Sequence, residues 1–208
     1  AVVIDGQSGK EYRLPAAHEI QMAEETEKVL PDLFDQIPFG LPEEKTPQGA
    51  SRRGGGSAFT VYLYGLTQWQ KLFTSRQLLA LGTFLKWTRV ARPELVNQGN
   101  SSIAIEGTIA YLICMFDRLA NQCSNLSRWN QGGEKIEGTF ARFALPILWD
   151  YAECNPLGET SGGYPSAFGW VTLVAKHLTE AATHSPTPNV NCRSAIGTAL
   201  SGFDCIIT

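Results

Sequence analysis

The 208-residue chain has three histidines, two methionines and no C-x-x-C spacing. It also lacks a surplus of positive charge: Lys plus Arg number 17, Asp plus Glu number 20, and the net charge is −3. No overall basic field therefore points to nucleic acid, and any such contact has to come from a local patch. The apolar runs fall short of the roughly 18 residues that a bilayer span requires. Ala1 to Lys10 has no apolar stretch behind a basic start, so neither a membrane span nor a signal peptide is expected. The five cysteines (114, 123, 154, 192 and 205) are odd in number. This argues against a disulfide framework and for buried thiols in a reducing cytoplasm. His18, His177 and His184 do not combine with the cysteines at zinc-ligand spacing, so no metal is expected. Complete enzyme motifs are missing as well: there is no G-x-S-x-G, no Walker loop, and no G-x-G-x-x-G after a strand. Gly54 to Gly56 lie between a proline-rich loop and a strand-like segment, which is not a phosphate cradle at a helix start.

What is present is enough apolar material for a core, with 43% hydrophobic and 18% charged residues, and this excludes a disordered chain. Val2 to Ile4 and Tyr12 to Leu14, with Gly6 and Gly9 between, predict a hairpin whose loop exceeds two residues. Pro15 opens a helix to about Leu30, with Glu19, Glu24, Glu25 and Glu27 as a solvated acidic face. Pro31, Pro38, Pro42 and Pro47, then SRRGGGS at 51–57, predict a long loop. Arg52 and Arg53 in it are either solvated or placed on a phosphate backbone. FTVYLY at 59–64 reads as a strand. Thr74 or Ser75 caps a helix ending at Arg92-Pro93, and Gln77 lies where a Thr74-based capping box needs its partner; Leu78, Leu81, Leu85 and Thr88 form its stripe, widened by Phe84 and Trp87. Asn100, Ser101 and Ser102 precede a further helix, 103–123, which carries Ile109, Leu112, Ile113, Phe116, Leu119 and Ala120 on one face. TFARFALPILWDYAEC at 139–154 has helical period, with a kink or break expected at Pro146. A fifth helix, 164–183, carries Phe168, Val171, Leu173, Val174 and Leu178. Val190 to Cys192 and Phe203 to Ile207 are strand candidates, the second resembling a buried parallel strand. A chain that stops on such a strand is expected to be a piece of a longer protein. The expected fold is mainly α with a few short strands. Three regions are expected: an N-terminal hairpin, helix and flexible loop (1–58), a helical region (59–186) and a C-terminal strand segment (187–208).

Three sets of side chains merit a chemical reading. Arg128, Trp129 and Asn130 combine a phosphate-seeking fork, a stacking face and a bidentate amide, the chemistries used on an extruded base. The structural alternative is a core-filling Trp129 and an Arg128 paired with Asp117 or Glu137. Asp117, Arg118 and Asn121 read as a helix-end ion pair and cap. Asp150 and Glu153, three apart on a predicted helix, face one way as an acid/base pair or metal ligands could. The structural alternative for them is two solvated or Arg-paired carboxylates.

Four separated strings share a further property: YGLTQWQKLFTSRQLLAL (64–81), NLSRWN (125–130), TFARFALPILWDYAECNP (139–156) and SGFDCIIT (201–208). Together, and in this order, they resemble the large adenine-specific DNA methylase family that carries an internal zinc ribbon and is often found in phage-defence loci. The likeness extends from EYRLP (11–15) to the last residue. It implies a parent S-adenosylmethionine-dependent DNA adenine N6-methyltransferase, cytoplasmic, with DNA and defence-system proteins as partners. In that family the strand similar to FDCIIT leads into a D-P-P-Y motif that grips the target amine. The Gly-rich cofactor loop and the zinc ribbon lie upstream of the region resembled. The resemblance thus implies that this chain is a helical insert plus part of a Rossmann-like methyltransferase sheet, with no catalytic residue, metal or bound cofactor of its own. By analogy with methyltransferases generally, Ser194 and Ala195 would lie near the cofactor's adenine. Many of those enzymes have an acidic residue hereabouts, where this chain has Arg193-Ser194. Arg128, Trp129 and Asn130 would face DNA. Two rivals are a non-enzymatic helical interaction module using Trp69 and Trp129, and an independent hydrolase using Asp150 and Glu153.

Overall fold

The computed structural model describes residues 2–49, 58–141, 144–150 and 152–182. Among them are four α-helices and two short antiparallel hairpins, a mainly α fold. The first hairpin pairs β1 (Val2–Gly6) with β2 (Gly9–Arg13). Its register closes at Gly6↔Gly9, so the loop is the two residues Gln7 and Ser8, shorter than the sequence predicts. Gly9 has φ +129°, a conformation that a side chain would strain.

Helix α1 (Ala17–Phe34) starts where Glu19 turns back to accept the Ala16 N–H at 2.7 Å. The Arg13 fork holds the same carboxylate at 2.7 Å through each nitrogen. Arg13, with the Ala16 N–H, keeps the Glu19 carboxyl at about 2. The helix does not stop at Leu30 but runs through Pro31. A proline removes one intrahelical donor. The burial of Leu30 and Phe34 against Leu78 and Ile37 outweighs that loss.

Helix α2 (Ser75–Asn97) begins at the expected capping box: the Gln77 N–H donates to Thr74 Oγ1 at 3.2 Å and the Thr74 N–H to Gln77 Oε1 at 2.8 Å. It passes Pro93, where the sequence predicts its end, and closes with the Gln98 N–H on the Glu94 carbonyl. The carbonyl four residues before Pro93, which loses its intrahelical donor, belongs to exposed Arg89. Gly82 lets α1 and α2 approach, since a Cβ there would come within 2.9 Å of Leu33 and 3.0 Å of the Phe34 ring.

Helix α3 (Ser102–Gln122) is capped by Ser101, which accepts the Ala104 N–H at 3.3 Å. Its buried line is Met115, Leu119 and Cys123, one helical turn apart, while Ile113 is exposed. Helix α4 (Tyr164–Ala182) forms where expected. Of its apolar set, however, Phe168, Leu173, Val174 and Leu178 are each about half exposed or more. Each helix packs on the next, α1 on α2, α2 on α3 and α3 on α4.

Two predicted elements are absent among the described residues. The segment 59–64 is not a strand: Phe59 makes a single bridge to Leu145, and Val61–Tyr64 form a 3-10 turn closed by Gly65 at φ +85°. The described part of 139–154 contains no helix. Proline biases the residue before it toward extended backbone, and Leu145, ahead of Pro146, donates its N–H to the Ala58 carbonyl at 2.8 Å. The two departures are one event, since each segment supplies the other's partner.

Most buried apolar side chains among the described residues fall in three clusters: Phe59, Val61, Leu72, Leu126 and Leu145; Leu30, Phe34, Ile37 and Leu78; and Leu81, Leu119 and Cys123. Phe73 packs against all three. The strand candidates at 190–192 and 203–207, together with Ser194, Ala195, Arg52 and Arg53, lie outside the described residues.

Candidate functional site

The Arg-Trp-Asn triplet is not loop but strand β3 (Arg128–Asn130), paired with β4 (Lys135–Glu137). The register is Arg128↔Glu137, Trp129↔Ile136 and Asn130↔Lys135. Alternation along a strand then splits the triplet. Arg128 and Asn130 share one face. There Arg128 Nε donates to Glu137 Oε2 at 2.5 Å and Asn130 Nδ2 to Glu137 Oε1 at 2.6 Å. Asn130 Oδ1 also accepts the Gly133 N–H at 2.9 Å, which shapes the turn. Trp129 is on the other face and 38% exposed, so it does not fill a core gap. Lys10 Nζ sits 4.7 Å from its ring centroid and donates to the Glu134 carbonyl at 3.2 Å. The first hairpin thus clasps the second, and a cation covers the tryptophan ring.

A buried hydroxyl network roots the β3–β4 hairpin. Ser124 and Ser127 are fully buried and Thr139 nearly so. Ser124 Oγ lies 2.5 Å from Thr139 Oγ1 and accepts the Leu126 N–H at 3.0 Å. Ser127 Oγ donates to the Gln122 carbonyl at 2.8 Å. Asn121 completes the root by accepting the Phe140 N–H at 2.7 Å. It ties helix to hairpin rather than capping its own helix. Sequence reading missed these hydroxyls. Their signal was two serines flanking an isolated leucine directly after an apolar helix, a pattern that polar loops share.

The Glu137 carboxyl is lowered by the hydrogen bond from Asn130, then by Arg128 and the nearby Lys135. A lowered folded-state value means that the stabilisation is complete above the ordinary glutamate range and is lost as the pH falls through the folded value. The Glu137 clasp is therefore expected to hold at a pH where free glutamates are half protonated. Carbon-detected NMR titration of the Glu137 carboxyl should give a midpoint below about 4.3. A midpoint at or above that value would show that the clasp is absent in solution.

Of the remaining candidates, Glu153, Arg118 and Trp69 have structural partners. Glu153 takes the Arg76 fork at 3.1 and 2.7 Å. Asp150 and Glu153 do not share a helix face, because neither lies in a helix among the described residues. Arg118 lies over the Trp170 ring, 5.5 Å from the centroid. Trp69 is half-buried against the Val61–Leu72 cluster and near Phe140. Among the described residues, no three His, Cys, Asp or Glu side chains gather as metal ligands. Among the described helices, none is long and apolar enough to cross a membrane. A cavity of about 40 Å³ beside Arg128, bounded by Leu126, Thr139 and Pro146, has room for water and not for a purine. No protein-family model, curated protein or solved structure matches the chain.

Proposed function

We propose that this chain is the scaffold and target-positioning segment of an S-adenosylmethionine-dependent DNA adenine N6-methyltransferase, and that it offers the β3–β4 hairpin to DNA. The observation that carries the reading is the accessible Trp129 ring with Lys10 laid against it. An exposed indole is a stacking platform for any base, and an adjacent ammonium can exchange the ring for a phosphate when a base takes its place. The hydroxyl root holds this platform at a fixed distance from the helices, which is the task of a positioning element. Arg128 and Asn130 set the hairpin's shape through Glu137, so the contact to a base falls to Trp129 and the contact to a phosphate to Lys10. Cofactor binding and methyl transfer belong, on this reading, to other segments of the enzyme.

Trp129→Ala within the complete gene product should weaken binding to a single-stranded or mispaired adenine-containing oligonucleotide roughly 5- to 150-fold, the value of one base–aromatic stack. Because the ring is exposed, the melting temperature should change little. Unchanged affinity, or a loss of affinity that follows a large drop in melting temperature, would overturn the reading.

A second reading, a non-enzymatic helical interaction module, is favoured by a different observation. Trp170, Leu173, Val174 and Leu178 on α4 are each at least half exposed. An intact DNA affinity in Trp129→Ala, with loss of a protein partner in Leu173→Glu, would favour this alternative.

A further inference from the structure

We propose that Cys123 and Cys154 are a reversible redox pair that closes to a disulfide in exchange with small-molecule disulfides. The two sulfurs are 3.3 Å apart, and a further approach of about 1.3 Å brings them to bonding distance. The contact is built by several residues. Cys123 is buried at the end of α3, directly before the Ser124 root of the hairpin, and Cys154 is half-buried. Both sulfurs share the Gly162 carbonyl as an acceptor, Cys154 Sγ at 3.3 Å and Cys123 Sγ at 3.9 Å, and Cys154 Sγ also lies 3.7 Å from the Gln122 carbonyl. Gly162 supplies the space, since a Cβ there would sit 2.7 Å from Cys154 Sγ. The third described thiol, Cys114, is exposed on α3.

The environment also sets the order of attack. The hydrogen bond from Cys123 lowers the Cys154 thiol, while the same bond and burial raise Cys123. The more accessible Cys154 thus supplies the thiolate, which is the nucleophile in exchange. Its sulfur attacks one sulfur of oxidised glutathione, forms a mixed disulfide and releases one glutathione thiolate, which takes up a proton. Cys123 then loses its proton and attacks Cys154 Sγ, displacing the second glutathione. Two protein thiols become one disulfide by loss of two electrons, and one oxidised glutathione becomes two reduced ones. The bond ties the end of α3 to the segment entering α4 and fixes the root of the hairpin from below. It is independent of what the hairpin binds.

The test equilibrates the full chain, with Cys114, Cys192 and Cys205 changed to serine, in buffers of graded reduced and oxidised glutathione. Quenching, alkylation and peptide mass mapping follow. The expected result is loss of both alkylation sites and a peptide pair joined through Cys123 and Cys154. A melting temperature about 5–15 °C higher, reversed by dithiothreitol, should accompany it. Thiols that stay free at every ratio, or glutathione left on one of them as the end product, would overturn the proposal. If the triple variant does not fold, the same mapping on the unaltered chain decides. A Cys123–Cys154 bridge supports the pair, and bridging of either to Cys192 or Cys205, or no bridge at all, sinks it.

Discussion

Leu119→Ala should lower the stability of the chain by about 2–5 kcal/mol. Leu119 is fully buried between Leu81 and Cys123, with Phe73, Phe84 and Phe116 around it. Truncation removes three carbons' worth of transfer energy and leaves a cavity whose cost depends on how far the walls relax. Here they are held in place. Phe84 stacks on Tyr164 with centroids 4.4 Å apart and planes 6° from parallel, which fixes α2 against the start of α4. The upper half of the range is therefore expected. Urea denaturation with an unchanged slope would measure it, and a loss below about 1 kcal/mol would mean that this cluster is not packed as described.

A second large effect is expected from Gly163→Ala, about 3 kcal/mol or more. Gly163 is buried just before α4, and a Cβ there would collide with the Gly158 carbonyl oxygen. Neither side can yield cheaply. The Gly163 N–H donates to Thr160 O at 2.9 Å, and the Tyr164 N–H donates to Pro156 O at 2.7 Å. The obstacle is backbone and not the tip of a flexible side chain. Gly169→Ala provides the contrast, since that glycine is exposed within α4 and nothing lies within 4 Å of its missing Cβ. It should instead add about 0.5–1 kcal/mol of helix stability. Thermal melts of the two variants that moved in the same direction would contradict this placement of the loop.

The helices were legible because their signals are local. Thr74 and Gln77 announce α2, Ser101 announces α3, and Tyr164 onward keeps the period of α4. The ends of α1 and α2 were not legible. Whether Pro31 or Pro93 terminates a helix depends on what the residues beyond it bury or leave to water, and that is decided by other segments. The segments 59–64 and 139–154 were misread for a related reason. Aromatic and β-branched content at Phe59 to Tyr64 and a 3.6-residue period at 139–154 each describe an isolated segment. The bridge between Phe59 and Leu145 joins residues far apart in sequence. At the candidate site, the residue types of the Arg-Trp-Asn triplet were readable, but the partition of their roles was not. Only the register with β4 shows that Arg128 and Asn130 go to Glu137 while Trp129 meets Lys10. The expectation that Arg128 pairs with a carboxylate is met by Glu137. The acid/base reading of Asp150 and Glu153 needed a helix that is absent from the described residues there, while its alternative, an Arg-paired carboxylate, is met at Glu153 by Arg76.

Phe73, which touches all three buried clusters, has a consequence for how the molecule comes apart. Clusters with separate linings melt separately, and amide exchange then reveals subunits of opening with different free energies. A shared aromatic ring couples them, because loosening any one frees a wall of the other two. The described helices should therefore exchange their slowest amides as a single cooperative unit. Substitutions in different clusters, such as Leu72→Ala with Leu119→Ala, should be less than independent in their effects, because both clusters pack on that ring.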